Sequence, residues 1–166
     1  MKRSTFIKKG LIATGTAIVT PTILAQEEER PLITAEEIFE FVAAAHKDLE
    51  EVKRIYEERP LILNCTNQIR RGDFETAMGG AAHMGRKDIA DFLLSKGARM
   101  DLFSYTFMGY KDFVKQQIEA FPSLLQSPGP HGFTLLHHAK VGDHQDLMDW
   151  IQEKGLTETF VKGVFG

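Results

Sequence analysis

The sequence predicts an all-α domain built from about four consecutive pairs of short helices. Three observations support this prediction: the chain repeats itself, its apolar residues recur at helical intervals, and threonines and glycines mark where helices begin and end. The chain has 166 residues, 43% of them hydrophobic and 26% charged, which suits one folded domain and excludes a disordered chain. Its single cysteine excludes a disulfide framework and a multi-thiolate zinc site.

Residues 1–25 are expected to form a secretory signal peptide rather than part of the fold. The first nine residues contain four basic and no acidic side chains, and the rest of the segment is apolar and small. This order is typical of an export signal, with cleavage expected after Ala25. The apolar stretch is short for a membrane span, and an uncleaved anchor is the alternative. Residues 26–33 would then form an acidic linker that leads into a domain at residues 34–156.

The start of this leader resembles a twin-arginine export signal. The segment from Arg3 to Lys8 follows that pattern except at Ser4, where the second arginine would stand, so twin-arginine and general export both stay open. Either route predicts a periplasmic protein, attached to the membrane only through an uncleaved leader. The net charge is −3 with the basic leader included, and the mature chain is more acidic, so nucleic acid is not a predicted partner.

The body of the chain repeats itself. Thr134 lies 58 residues after Thr76, and this offset aligns two stretches without a gap. The identical pairs are Thr76 and Thr134, Ala81 and Ala139, Asp88 and Asp146, Asp91 and Asp149, Lys96 and Lys154, and Gly97 and Gly155. A third copy surrounds residues 107–112 and a weaker one covers residues 43–56, so we expect about four units. A single helix pair cannot bury its apolar face alone, and the units are therefore expected to stack.

Each unit is predicted to contain two short helices. The first unit begins with Thr34 and Glu37 in a capping box, followed by apolar residues at helical spacing. In the second unit, Thr76 caps the first helix and Gly97 ends the second. Asp101 is the expected N-cap of the helix that follows.

Two of these units resemble the ankyrin-repeat signature Thr-Pro-Leu-His-x-Ala-Ala-x-x-Gly. Thr76–Gly85 resembles it once, and Thr134–Ala139 resembles it again with His137 in the family's histidine position. Phe92–Ala98 resembles the end of the family's second helix. The resemblance covers about residues 36–156 and implies an ankyrin-repeat solenoid of about four helix-turn-helix units.

The chain departs from the family pattern at several points. Ala77 and Leu135 replace the signature proline, and Asp143 stands where a helix-breaking glycine would be. The short spacing between the second and third units leaves no room for a β-hairpin, so short or missing hairpin fingers are expected. The apolar residues within 157–166 favour a capping tail over the end of the stack.

The resemblance implies that the protein binds another protein through its turn tips and the concave face of its first helices. On the concave face the alignment places Gly80, His83, Ser104, Phe107, His138 and Val141. At the tips it places Arg70, Arg71, Asp73, Phe74, His131 and Phe133. Phe107 would either contact the partner or fill space left by the missing finger. Gly79 and Gly80, which weaken a helix, suggest either a close partner or tight packing against Phe103.

Four histidines suggest a different function. His131, His137, His138 and His144 lie close together in the sequence, and histidine-rich tracts can bind zinc or copper. Adjacent His137 and His138 point to different helix faces, and His138 and His144 lack i,i+4 spacing, so no metal site is predicted. No nucleophile motif or phosphate-binding loop stands out, so neither catalytic residues nor a cofactor is predicted.

The sequence therefore predicts a non-enzymatic protein–protein interaction module, an accessory or scaffold protein for a periplasmic partner of unknown identity. The alternative is a metal-binding protein or enzyme that uses the histidines of residues 131–144. A third possibility is a structural protein that self-associates.

Overall fold

Eight α-helices in four consecutive pairs account for most of residues 31–165, the part of the chain that the structure, a computed structural model, describes. The helices are α1 (Ala35–Ala45), α2 (Leu49–Glu58), α3 (Ala77–His83), α4 (Lys87–Ser95), α5 (Leu102–Phe107), α6 (Lys111–Ala120), α7 (Leu135–Val141) and α8 (Gln145–Glu153). The prediction of a mainly helical domain is confirmed. The expected signal peptide, residues 1–25, lies outside the described residues. No helix within residues 31–165 is both long and apolar enough to cross a lipid bilayer.

The first helix of every pair begins at a side-chain cap. Thr34 and Glu37 form the expected capping box, in which each side chain accepts the backbone N–H of the other residue. Thr76, Asp101 and Thr134 cap α3, α5 and α7 by accepting backbone N–H groups three residues further on. The starts of these helices are therefore encoded locally.

The turn inside each of the last three pairs uses a left-handed residue. Gly85 has φ 69° between α3 and α4, and Asp143 takes the corresponding place between α7 and α8 with φ 59°. Aspartate tolerates this region better than most residues, so the departure from glycine leaves the turn intact.

A β-hairpin joins the first two helix pairs. Strand β1 (Thr66–Arg70) pairs antiparallel with β2 (Asp73–Thr76), and Gly72 turns the chain between them with φ 79°. Three short 3₁₀ turns also occur among the described residues, at Pro60–Asn64, Pro122–Gln126 and Pro130–Gly132. Within residues 31–165 the hairpin is the only strand pairing beyond a single isolated bridge, in keeping with the expected scarcity of fingers.

The core lies along the row of first helices. Helix α1 packs on α3, α3 on α5, and α5 on α7, while each second helix covers its own partner. Small side chains such as Ala45, Ala81 and Ala139 are fully buried, and they let successive helices approach closely. Phe107 joins the apolar cluster of the first two pairs, and the last two pairs form a second cluster.

The tail after α8 folds back onto the turn that precedes α7. The Thr134 N–H donates to the Thr159 carbonyl, and the Val161 N–H donates to the Gly132 carbonyl at 2.9 Å. Phe160 forms an isolated β-bridge with Phe133. The tail therefore lies beside the Pro130–Gly132 turn and the hairpin.

Candidate metal centre

Four metal-ligating side chains meet at one point, although they come from three separate segments of the chain, because β2 runs directly into α3. His46 follows α1, Glu75 lies on β2, His83 ends α3, and His131 lies in the Pro130–Gly132 turn. One ligand atom from each of these residues lies within 4.8 Å of the other three. The cluster is therefore a candidate metal centre with three imidazoles and one carboxylate.

His46 is held in a single orientation by its own helix. Its Nδ1 lies 2.8 Å from the Val42 carbonyl oxygen, and because a carbonyl only accepts, Nδ1 carries the proton and donates it. Gly80 leaves room for the ring, since a Cβ at that position would come within 2.9 Å of His46 Cε1. Nε2 then faces Glu75 Oε2 at 3.3 Å.

Glu75 lies at the centre of the cluster. Its side chain is completely buried because alternation along β2 turns Asp73 and Glu75 inward and Phe74 outward. Besides the contact with His46, Oε1 lies 2.9 Å from His83 Nδ1, and Oε2 lies 3.4 Å from His131 Nε2. One carboxylate therefore faces three imidazole nitrogens.

His83 is packed between an aromatic ring and the carboxylate. Its side chain is almost fully buried and stacks on Phe133, with ring centroids 5.2 Å apart. The His83 backbone carbonyl accepts a 2.8 Å hydrogen bond from Nε2 of His137. The hydrogen bond from His137 thus fixes the end of α3, and the contacts with Phe133 and Glu75 fix the His83 side chain.

Asp73 orients His131 through two hydrogen bonds. The His131 backbone N–H donates to Asp73 Oδ1 at 2.9 Å, and Nδ1 of the ring lies 3.1 Å from Asp73 Oδ2. His131 has φ 60°, a strained value for a non-glycine residue that these bonds help to maintain. Because a carboxylate only accepts, Nδ1 carries the proton and Nε2 presents its lone pair to the centre.

The electrostatics of the cluster without a metal are dominated by Glu75 and its neighbours. Burial of Glu75 would raise the pKa of this carboxyl, but its close contacts with the imidazoles of His46 and His83 outweigh burial and lower the pKa to about 2. The close contact with the Glu75 carboxylate in turn raises the pKa of His46 despite its partial burial. Glu75 is therefore ionised at neutral pH, and the cluster demands positive charge.

Several buried atoms of the cluster face one another without a hydrogen bond. Neither carboxylate oxygen of Glu75 nor Nδ1 of His83 has a hydrogen-bond partner of suitable geometry within residues 31–165. Buried polar atoms are rarely left in this way, because each costs about 1–3 kcal/mol. Lone pairs of two imidazoles and a carboxylate that point at each other need a cation between them, and that cation can be a proton or a metal ion.

The structure separates the predicted histidines of residues 131–144. Of the four, only His131 joins the cluster, together with His46 and His83. The other three donate or face backbone carbonyls: His137 to His83, His138 to Thr134, and His144 to Phe107. The histidines of residues 131–144, on which the alternative function depends, are therefore not brought together as one ligand set, because three of these rings hydrogen-bond to backbone carbonyls.

The expectation of an exposed concave face is also wrong for most of its residues. Gly80, His83, Ser104, Phe107 and His138 are buried, and Val141 is half-buried. The first helices approach one another so closely that side chains at these positions fill the space between them. Phe107, only 3% exposed, fills space in the first apolar cluster, and the close neighbour of Gly80 is the ring of His46 rather than Phe103.

The predicted tip residues divide into two groups. Arg70, Arg71 and Phe74 are exposed on the hairpin, as expected. Asp73 is fully buried beneath them, while His131 and Phe133 are half-buried against the candidate metal centre. Part of the predicted tip surface is thus the outer shell of this centre.

Sequence reasoning missed His46 and Glu75. The residues come from segments far apart in the chain, and no local motif links them. Two signals were available: the alternation of acidic Asp73 and Glu75 with Phe74 in a strand, and a glycine pair at residues 79–80 inside a helix. Neither a protein-family model nor a curated protein sequence matches the chain.

Proposed function

We propose that the protein binds a divalent transition metal ion, with Zn²⁺ as the first candidate, through His46, Glu75, His83 and His131. The observation that carries this proposal is the buried Glu75 carboxylate, whose oxygens lie 2.9–3.4 Å from nitrogens of all three histidines. A single ion at this point would satisfy the carboxylate and the three imidazole lone pairs together.

Two of the spacings between ligand atoms match those of a tetrahedral ion, and the full set, within 4.8 Å, would contract around it. With metal–ligand bonds of about 2.0–2.1 Å, neighbouring ligand atoms in a tetrahedral zinc site lie about 3.3–3.4 Å apart. The Glu75 contacts to His46 and His131 are 3.3 and 3.4 Å long. Three imidazoles with one carboxylate suit Zn²⁺ or another borderline ion better than Mg²⁺ or Ca²⁺, which prefer oxygen ligands.

The surrounding shell supports metal binding rather than proton sharing alone. His46 and His131 each donate Nδ1–H to an oxygen acceptor, Val42 O and Asp73 Oδ2, and so direct Nε2 to the centre. Such partners fix the tautomer and ring orientation of metal-ligating histidines. A proton would satisfy only one nitrogen at a time.

Metal retention by the full mature chain, residues 26–166, tests the proposal. After dialysis against buffer without metal, elemental analysis should find one Zn²⁺ per chain, and competition with a chromophoric chelator gives the affinity. Glu75→Gln and His46→Asn should lose the ion, while Glu119→Gln, at an exposed site on α6, should keep it. His144→Asn discriminates further, because a site formed by the histidines of 131–144 would lose metal and the site proposed here would not. Substoichiometric metal in the wild-type chain, or equal retention by Glu75→Gln, would refute the proposal.

The scaffold of this site is proposed to be an ankyrin-type stack. Support comes from the order of the elements, since four helix pairs with capped first helices follow one another and consecutive first helices are in contact. The hairpin between the first two pairs would then be a finger, and it supplies Glu75. Export of this protein to the periplasm is part of the same proposal and rests on the character of residues 1–25.

A protein-binding role is a second candidate, favoured by aromatic side chains at the surface. Phe39, Phe74 and Phe121 are each more than half exposed. Phe74 lies on the hairpin, and large exposed aromatic residues often anchor interfaces. A pull-down from periplasmic extract should recover a specific protein with the wild-type chain and lose it with Phe74→Asp, while circular dichroism and metal content stay unchanged. Recovery of the same proteins by both chains would remove this support.

A further inference from the structure

The tail, residues 157–165, contacts the turn that carries the proposed ligand His131. The Val161 N–H donates to the Gly132 carbonyl, in the residue that follows His131. A Cβ on Gly132 would lie 2.6 Å from the Val161 carbonyl oxygen, so the two backbones are in close contact. His131 has φ 60° and Gly132 has φ 93°, and the turn therefore holds two consecutive residues in the left-handed region. The tail thus supports a backbone conformation that residues other than glycine rarely adopt.

Aromatic rings connect the tail to a second proposed ligand. Phe160 forms a β-bridge with Phe133, and their ring centroids lie 5.7 Å apart. Phe133 in turn stacks on His83, with the two ring planes inclined by 24°. The other ring stacked on Phe133 is that of His137, which bonds the His83 carbonyl. The tail therefore reaches His83 through one aromatic ring and His131 through one backbone hydrogen bond.

The tail itself is held by few contacts. Phe160, Val161 and Val164 are each more than one-third exposed. Tail residues and Arg70 of the hairpin line a cavity of about 190 Å³, so the two segments are not closely packed there. A segment with few buried apolar contacts opens locally at a free energy well below that of global unfolding. We therefore expect the tail to exchange between a docked and a detached state while the helix pairs stay folded.

Metal binding and tail docking depend on the same turn, Pro130–Gly132. An ion bound at the proposed site would hold His131 Nε2 near Glu75 Oε2, from which it is 3.4 Å away, and would keep the ring and its backbone in place. The docked tail holds the same backbone through the Gly132 carbonyl. Two events that select one conformation of a shared element strengthen each other, and the factor is equal in both directions.

We propose that the tail is a clamp on the metal centre: docking of the tail raises metal affinity, and the bound ion makes the tail dock more tightly. Val161 is the positioning residue of this clamp, because its N–H holds the turn without being a ligand. The inference rests on the proposed function, since it requires the ion. It makes the affinity of the site depend on a segment that can detach, so that the ion can be released without unfolding the helix pairs.

Hydrogen exchange of single amides, followed by NMR in the mature chain, tests the clamp. Zn²⁺ should slow exchange of the Val161 amide by about 5-fold to 150-fold, the usual range for two coupled sites. The Thr134 amide, which donates to the Thr159 carbonyl, should slow with it. The control is the Gly97 amide, which donates to Leu94 at the end of α4, a helix without proposed ligands. Its exchange rate should change by less than about twofold, because that helix end opens independently of the tail.

Two variants at one position test the reverse direction. Val161→Pro removes the N–H that donates to Gly132, whereas Val161→Ala keeps this N–H and shortens a side chain that is already partly exposed. Val161→Pro should weaken Zn²⁺ binding by at least about fivefold, and by up to the factor by which Zn²⁺ slows the Val161 amide of the wild type. Val161→Ala should bind Zn²⁺ within about twofold of the wild type. Competition with a chromophoric chelator measures both affinities, and circular dichroism checks folding.

The outcomes separate the clamp from the metal site. A chain that binds one Zn²⁺ while its Val161 amide slows no more than its Gly97 amide would overturn the clamp and leave the metal site standing. Equal Zn²⁺ affinity in folded Val161→Pro and the wild type would also overturn the clamp. If Val161→Pro does not fold, the exchange rates of the wild type decide. Failure of the wild-type chain to bind Zn²⁺ at all would overturn the proposed function, and the clamp with it.

Discussion

Asp73 is a buried carboxylate that acts on the centre through His131. It accepts hydrogen bonds from the backbone and the ring of this histidine, so that one side chain maintains a left-handed backbone and selects the tautomer. An amide in place of the carboxylate could not hold the Nδ1 proton as strongly and would remove a negative charge from beside the proposed metal site. The proposed metal affinity therefore depends on a residue outside the proposed ligand set.

Asp73→Asn is expected to weaken Zn²⁺ binding by about 10-fold to 100-fold, the usual effect of losing such a partner of a metal-ligating histidine. Competition with a chromophoric chelator measures the change, with circular dichroism as the check on folding. Asp91→Asn is the control, because that aspartate is exposed and pairs with Lys87 on α4. Equal Zn²⁺ affinities in Asp73→Asn and the wild type would show that Asp73 has no such role.

Gly80 is the residue that admits the His46 ring. A Cβ there would lie 2.9 Å from Cε1 and 3.0 Å from Nδ1 of His46, so Gly80→Ala should displace the ring and weaken Zn²⁺ binding by about tenfold or more. Gly79→Ala is the matched control, since its Cβ would meet nothing closer than 3.4 Å. This control should retain its metal and gain roughly 0.5–1 kcal/mol of helix stability. Identical metal affinities in the two variants would contradict the proposed placement of His46.

His138 makes stability depend on pH through burial. Burial lowers the pKa of this histidine to about 4, and its Nε2 has no hydrogen-bond partner within the described chain. The neutral ring is therefore favoured in the folded state, while the unfolded chain takes up a proton near the usual pKa of 6.5. The stability that this group contributes is present above pH 6.5 and is lost as the pH falls toward 4.

The expected loss from His138 is about 3 kcal/mol over that interval. Urea unfolding of the metal-free chain at several pH values should show a steeper fall in the free energy of unfolding for the wild type than for His138→Leu. The difference between the two chains isolates His138, because the other titrating groups are common to both. Parallel pH profiles would contradict the assigned neutral ring.

At the scale of elements, histidines connect one helix pair to another. His144 lies between α7 and α8. Its Nε2 is 2.7 Å from the carbonyl oxygen of Phe107, at the end of α5. Its ring occupies space that Gly109 and Gly142 leave free, since a Cβ on either would approach it closely. His137 makes the corresponding contact with the end of α3.

His144→Ala should destabilise the fold by about 1–3 kcal/mol, because the carbonyl of Phe107 loses its donor and the ring leaves a cavity. Chemical denaturation measures this loss. Zn²⁺ stoichiometry should stay at one per chain, since His144 is not among the proposed ligands. Loss of the metal together with preserved stability would reverse the assignment and return His144 to a ligand role.

The elements differ in how far the sequence predicted them. Thr34, Thr76 and Asp101 mark helix starts through bonds to residues three positions away, so local sequence was sufficient. The inward direction of Glu75 depends on pairing between β1 and β2 and on packing against α1, which local sequence does not specify. An acidic strand residue ordinarily faces solvent, and the fully buried carboxylate therefore could not be foreseen from its neighbours alone.

At the scale of the whole molecule, the metal would connect the start and the end of the stack. Its proposed ligands lie between residues 46 and 131, so an ion bound only by the folded chain stabilises the arrangement of the first, second and fourth helix pairs together. Without the ion, a proton on His46 can supply positive charge beside Glu75. Metal and protons therefore compete for the same nitrogens.

This competition predicts how pH changes the effect of the metal. The raised pKa of His46 means that protonation of this ring stabilises the metal-free fold below pH 6.5, and this contribution is lost as the pH rises through the folded-state pKa. The lowered pKa of Glu75 contributes stability above pH 4.5 that is lost only as the pH falls toward 2. The metal-free chain therefore keeps both contributions between about pH 4.5 and 6.5. Metal binding must displace the His46 proton, and it therefore strengthens above that range.

The rise in melting temperature caused by excess Zn²⁺ should accordingly be small near pH 5.5 and large near pH 8, where a thousandfold excess over Kd corresponds to about 4 kcal/mol of stabilisation. Glu75→Gln should show almost no rise at either pH, and a rise that is the same at both in the wild type would mean that the ion does not compete with the His46 proton.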